Sequence, residues 1–186
     1  MPQAELELQN VTIRFGGVTV VNNVSMTVGT RDLVGFVGPN GGGQDHVVHN
    51  AISGLVRPTQ GTIRFDGADI LKTSLHKRAR LGIGRTFQVP QPLHELTVRE
   101  NLIVAQRFGA GRVDEARIDE ILGFLRLQDK ADRNAATELA LTELKALEVA
   151  KSLATQPKLL FADGPPAEVF RDPAVVKSYT GEVVDA

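Results

Sequence analysis

The residues Gly38-Pro39-Asn40-Gly41-Gly42-Gly43-Gln44-Asp45 carry the first chemistry legible in the chain. They follow the apolar run Leu33-Val34-Gly35-Phe36-Val37 and precede a stretch with helical character that reaches Leu55. A strand, a glycine-rich turn and a helix together make an anion site. Successive backbone N–H groups form a concave nest, and the helix N-terminus adds the positive end of its dipole. Gly38 and Gly43 keep the spacing of a phosphate-binding loop, but Gln44 and Asp45 stand where its Lys and its Ser or Thr belong. Gln44 can donate a hydrogen bond yet brings no charge. Asp45 would set a carboxylate against a polyphosphate. One charge pair at contact is worth about 4 kcal/mol at an effective dielectric of about 20, so exchanging an attraction for a repulsion weakens such a site, even where Mg²⁺ returns part of the loss. Without a ligand the same glycines make a plain tight turn. His46 and His49 lie beside Asp45 and suggest a metal pair, but a pair at this spacing with no third ligand is a weak site.

The positioning elements can be read around this loop. Leu6–Phe15 alternates in character and, with Gly16-Gly17 and Val18–Val21, predicts a hairpin. Val24–Val28 predicts a further strand, and Leu33–Val37 a strand buried on both faces. Thr62–Phe65 and Ala68–Ile70 flank an Asp66-Gly67 turn and predict a second hairpin. The basic run His76–Arg80 reads as a solvated helix face. After residue 90 the pattern is helical. Thr97 and Glu100 fit a capping box ahead of Leu102, Ile103 and Phe108. Gly109-Ala110-Gly111 breaks that helix, and Asp114–Leu127 resumes one with Ile118, Ile121, Leu122 and Leu125 on one face. A third helix is expected from about Thr142 to Leu153, followed by Pro157 and an apolar strand Leu159–Ala162 that ends on Asp163. Strands, then helices, then a returning strand predict an α/β core with a helical insertion.

Composition narrows the function classes. With 186 residues, 42% hydrophobic and 23% charged, the chain suits one soluble domain with a real core. A net charge of -1 gives no general attraction to nucleic acid or anionic lipid. The absence of cysteine excludes disulfides, zinc–thiolate sites and Cys nucleophiles. No signal-peptide pattern opens the chain, and no apolar run is long enough to span a membrane.

Seven stretches, in order, carry a family resemblance: RFGGVTVVNNVSMTV (14–28), VGFVGPNG (34–41), NAISGLVRPTQGTIRFDG (50–67), RARLGIGRTFQ (78–88), ELTVRENLIVA (95–105), LEVAKSLATQPKLLFAD (147–163) and GPPAEVFRDPAVV (164–176). The chain resembles the ATP-binding subunits of ABC transporters, most closely those of branched-chain amino-acid uptake. The resemblance covers Leu6 to Asp163 and resumes in the tail. It implies an α/β P-loop NTPase (ABC ATPase) core with an N-terminal antiparallel β part and a helical subdomain, in one domain over 1–186. Within it, 1–90 would hold the β-rich part and nucleotide-binding core, 91–141 the helical subdomain, 142–163 the signature-region helix and Mg-aspartate strand, and 164–186 the tail. ATP and Mg²⁺ are the implied cofactors. Phe15 would stack on adenine, and Gly38, Pro39, Asn40, Gly41, Gly42 and Gly43, with Gln44 and Asp45 after them, would wrap the phosphates. Gln88 would sense Mg²⁺ and the γ-phosphate and hinge the helical part, and Asp163 would hold Mg²⁺ through water. The implied partners are permease membrane subunits and a second ATP-binding subunit, identical or related, at the cytoplasmic face of the membrane. Taken singly, Phe15 reads as a core-packing aromatic and Gln88 as a polar loop residue.

The chain departs from the family pattern in four places. The loop Lys and Thr are missing. The signature segment, normally Leu-Ser-Gly-Gly-Gln in character, falls on Leu139-Ala140-Leu141-Thr142-Glu143, where Thr142 could simply cap the helix. The catalytic glutamate position after Asp163 is Gly164, so no general base is present. The switch histidine and the core segment between Asp163 and the tail are absent, a pattern that a deletion at Ala162-Asp163-Gly164 would leave. Loss of the core strand that segment supplies would leave apolar sheet faces exposed and the fold marginal. Gly42–His49 can be written in codons as GGC GGG CAA GAC CAC GTT GTT CAC. Read from the second base, these give Ala-Gly-Lys-Thr-Thr-Leu-Phe, the complete motif, so a local frameshift accounts for the loop. The expectation is a degenerate importer subunit with weak nucleotide binding and negligible hydrolysis. The rivals are a non-catalytic assembly subunit and the non-functional product of a damaged gene.

Overall fold

The computed structural model describes residues 4–30, 32, 34 and 44–162, with the backbone alone for residues 4 and 44–46. The predicted strand Leu33–Val37, the glycine loop 38–43, Asp163, Gly164 and the tail lie outside the described residues. The chain divides into two compact units with the boundary between Arg78 and Ala79.

The first unit is built on an antiparallel sheet. Its strands are β1 (Ala4–Phe15), β2 (Val18–Gly29), β3 (Gln60–Phe65) and β4 (Ala68–Asp69), in the order β2-β1-β3-β4. Both predicted hairpins form. The second turns on Asp66 (φ 53°) and Gly67 (φ 77°), the left-handed pair a two-residue turn requires. One expectation is corrected. The two strands expected over 18–21 and 24–28 are one, because Asn22-Asn23 is absorbed as a bulge between the pairs Ile13↔Val21 and Val11↔Val24. A matching irregularity in β1 between Leu8 and Val11 shifts its inward phase, so Leu6 and Leu8 are buried before it and Val11 and Ile13 after it. Asn10 and Asn23 both take φ 51°, and their side-chain amides bond each other at 2.9 Å. The freed backbone donors bond hydroxyls, Asn10 N–H to Ser25 Oγ and Asn23 N–H to Thr12 Oγ1.

Helix α1 (Gln44–Ser53) buries Val48, Ala51 and Ile52, and Ile63, Phe65 and Ile70 complete the unit's buried set with the sheet residues. Helix α2 (Leu75–Leu81) carries the basic run and contains the unit boundary. The expectation of a wholly solvated face fails at Arg78, which is 3% exposed.

The second unit contains a parallel pair of short strands, β5 (Ile83–Arg85) and β6 (Leu159–Phe161), and a helical cluster. Helix α3 (Val98–Gly109) starts with the predicted Thr97–Glu100 capping box. Helix α4 (Glu115–Phe124) starts at the side-chain cap Asp114, and a 3₁₀ turn follows at Gln128–Lys130. Helix α5 (Leu141–Ala154) completes the cluster. The core joins Val98 and Leu102 of α3, Ile118, Ile121 and Leu122 of α4, and Leu147, Ala150 and Ala154 of α5. Their spacing at three and four residues gives each helix one apolar stripe. Leu125, expected on the α4 stripe, is partly buried against this core. Strand β5 was not predicted as an element, because three residues are too few to show a period.

Candidate functional site

In the first unit, the hairpin and α1 bring two sequence-predicted features into defined places. Phe15 ends β1 opposite Val18 and is 48% exposed, so it does not pack into the core. Helix α1 begins at Gln44, the residue after the last loop glycine, so its N-terminal amides follow the glycine run without a spacer. The positions of Gly38–Gly43 and the side chains of Gln44 and Asp45 lie outside the described residues.

The other end of α1 is held by a cation. Arg78 donates Nη1–H to the carbonyls of Ala51 (2.7 Å) and Ile52 (2.9 Å) and Nε–H to that of Thr73 (2.8 Å). The carbonyls of Ala51 and Ile52 belong to the last turn, where i→i+4 donors run out; Ala51 also accepts from Gly54 N–H at 3.3 Å. A positive charge there also faces the negative end of the helix dipole. Burial pushes the guanidinium pKa down, partly opposed by Asp69. Gly54 (φ +93°) turns the chain over this arginine, and a Cβ at that position would meet Nε at 3.0 Å. Sequence reasoning missed Arg78 because nothing in a basic run marks the one member that will find carbonyls 26 and 27 residues away.

In the second unit, β5 leads to Gln88 and β6 leads to Asp163. The strands pair in parallel with Arg85 opposite Phe161, so both lead out on the same side. In open α/β sheets that carboxyl end is where ligands bind. Gln88 itself is exposed, and Asp163 lies outside the described residues. Buried Asn101 shapes the segment after Gln88 by accepting from Leu93 N–H at 2.9 Å and donating Nδ2–H to the Thr97 carbonyl at 2.8 Å. Arg85 lies over the Phe87 ring, 5.3 Å from its centroid.

The signature region also differs from expectation. The N-cap of α5 is Ala140, whose N–H donates to Glu143 Oε2 at 2.8 Å, and Thr142 lies inside the helix. A glutamate three residues past the cap supplies the reciprocal half of a capping box, so Thr142 is not needed. That hydrogen bond, with Lys130 assisting, holds the Glu143 carboxyl below its usual range. Leu141 projects into solvent at 62% exposure.

Within the first unit, Phe15 is an exposed aromatic at the end of β1, suited to stacking on a planar ring, and the N-terminal amides of α1 suit an anion. Within the second, Gln88 is an exposed amide three residues past β5.

Residues 21–167 match the family described as ABC transporter, and residues 160–185 match that described as branched-chain amino acid ATP-binding cassette transporter. The chain belongs to the ATP-binding subunits of the ABC transporter family. More narrowly, it is 38% identical to the "High-affinity branched-chain amino acid transport ATP-binding protein BraF" of Pseudomonas aeruginosa, over 90% of this chain and 71% of that protein. It is 37% identical to the "Probable branched-chain amino acid transport ATP-binding protein LivG" of Archaeoglobus fulgidus, over 88% of this chain and 68% of that protein. A solved ADP conformation of an ABC-transporter ATP-binding cassette matches with a TM-score of 0.76 at 30% identity, over 94% of this chain and 73% of that chain. No helix among the described residues is long and apolar enough to cross a membrane.

Proposed function

We propose that the chain is the ATP-binding subunit of a branched-chain amino-acid importer, degenerate in its nucleotide site. The observation that carries this is the pairing of a family-typical frame with a loop that has lost its charge. Helix α1 starts directly after Gly43, as an anion site requires, yet Gln44 and Asp45 occupy the cation and hydroxyl positions. Phe15 is the adenine contact, Gly38–Gly43 the phosphate wrap, and Gln88 with Asp163 the Mg²⁺ ligands. ATP and Mg²⁺ bind weakly here, and hydrolysis is negligible because Gly164 supplies no base to orient water. The partners are permease subunits and a second ATP-binding subunit, at the cytoplasmic face of the membrane.

The two family matches overlap at residues 160–167, which supports an internal deletion joining the Asp163 strand to the family's C-terminal segment. The shifted-frame reading of Gly42–His49 supports a local frameshift. The test compares ATP affinity and ATPase rate of this chain with a version in which Gly42–His49 is replaced by Ala-Gly-Lys-Thr-Thr-Leu-Phe. Affinity should rise at least about tenfold while turnover stays negligible. Turnover of Mg-ATP by the unaltered chain at an ordinary family rate would refute the reading. Co-purification with membrane subunits in the absence of ATPase activity would favour a purely assembling role.

A further inference from the structure

Helix α5 addresses the Gln88 segment through three side chains of one face, Glu148, Lys151 and Ser152, which bond backbone atoms of that segment. Ser152 Oγ–H donates to the Arg85 carbonyl at 2.8 Å. Glu148 Oε1 accepts from Gln91 N–H at 2.7 Å, and Lys151 Nζ donates to the Gln91 carbonyl at 2.5 Å. Glu148 and Lys151 also bond each other at 2.6 Å, with side-chain exposures of 5% and 19%. Arg85 lies three residues before Gln88 and Gln91 three residues after it. Gln88 is therefore bracketed by two anchors on one helix face, with its own side chain left exposed. Asn101 of α3 fixes the chain again at Leu93.

A hydrophobic contact would hold such a segment less specifically. A peptide gripped at both its N–H and its carbonyl by an ion pair is fixed in position and in rotation, and charge-assisted hydrogen bonds of this kind are the strong class. Side-chain identity in the segment matters little to the grip, because only backbone atoms are held. We propose that Glu148, Lys151 and Ser152 are positioning residues for Gln88, locking its segment to α5 so that the two move as one piece. The importance of that lock to transport rests on the reading of Gln88 as a nucleotide contact; the lock itself does not.

Hydrogen exchange in the nucleotide-free chain separates the lock from general stability. Removing one member of a mostly buried ion pair leaves an uncompensated charge and destabilises the whole unit, whereas removing both avoids that penalty. The double variant Glu148→Leu/Lys151→Met should therefore keep an unfolding midpoint close to the parent's while the amides of residues 87–96 exchange at least roughly tenfold faster. Helices α3 and α5 should retain their protection, and Lys151→Arg should keep the slow exchange of 87–96. Unchanged exchange at 87–96 in the double variant, or an acceleration shared equally by α3 and α5, would overturn the proposal. A parallel ATP titration of the parent chain tests the nucleotide reading alone, since the apo comparison decides the lock whatever that titration gives.

Discussion

Arg78 buries its guanidinium to satisfy carbonyls of Ala51, Ile52 and Thr73. Its loss would remove the buried donor to the Ile52 carbonyl and leave the Ala51 carbonyl only the longer bond from Gly54 N–H at 3.3 Å, and an unmet buried group costs more than a surface hydrogen bond is worth. Arg78→Met should lower stability by about 2–4 kcal/mol, and Arg78→Lys should lose most of the same, because an ammonium has no planar fork to reach carbonyls on two sides. Denaturant unfolding followed by circular dichroism measures both. Gly61 poses the opposite constraint. At φ +91°, a Cβ there would lie 2.5 Å from the carbonyl oxygens of Gln9 and Asn10. Both contacts are backbone and cannot swing aside, so Gly61→Ala should cost about 2–3 kcal/mol, read by the same unfolding curve. Neither residue announced itself in the sequence. Each is defined by atoms far along the chain, whereas Thr97 and Glu100, whose partners are three residues apart, were legible at once.

Helices α3 and α5 start with the same device, a glutamate returning to bond the N–H of the residue three positions before it. Glu100 accepts from Thr97 N–H at 2.8 Å and Glu143 from Ala140 N–H at 2.8 Å. Backbone hydrogen bonding lowers the pKa of both below 4.5. A carboxyl whose folded pKa is depressed contributes stability that is fully present above its unfolded value and is lost as pH falls through the folded one. The first turns of α3 and α5 should therefore loosen as pH drops below about 4.5, seen as amide exchange there that gains on exchange in the middle of the same helices. Glu143→Gln should remove that dependence from α5 alone. At this scale the sequence was informative where a cap or a turn is local. The Asp66-Gly67 hairpin and the α3 cap followed from it directly. It failed at β2, where Asn22-Asn23 reads as a break and the sheet accommodates it as a bulge, since pairing to β1 outweighs the local preference for a turn.

For the molecule as a whole, family membership is carried by a match over residues 21–167, and the proposed weakness of the nucleotide loop is a matter for binding measurements. On the proposed reading, replacing Gly42–His49 by the shifted-frame residues should raise affinity for ATP without raising turnover, since Gly164 offers no general base. Isothermal titration and a phosphate-release assay report the two separately. A rise in both would mean that another residue supplies the base. The sequence by itself determined the family, the two hairpins and the α3 cap. All of these are carried by residue type at short spacing, which folding does not alter. Tertiary structure alone decided that Arg78 is a buried anchor and that α5 grips the peptide at Gln91. It also decided that Phe15 stands half exposed at the end of its strand. The reason is physical: burial and backbone satisfaction depend on which carbonyls and amides distant segments bring within hydrogen-bond reach, and no local pattern encodes that.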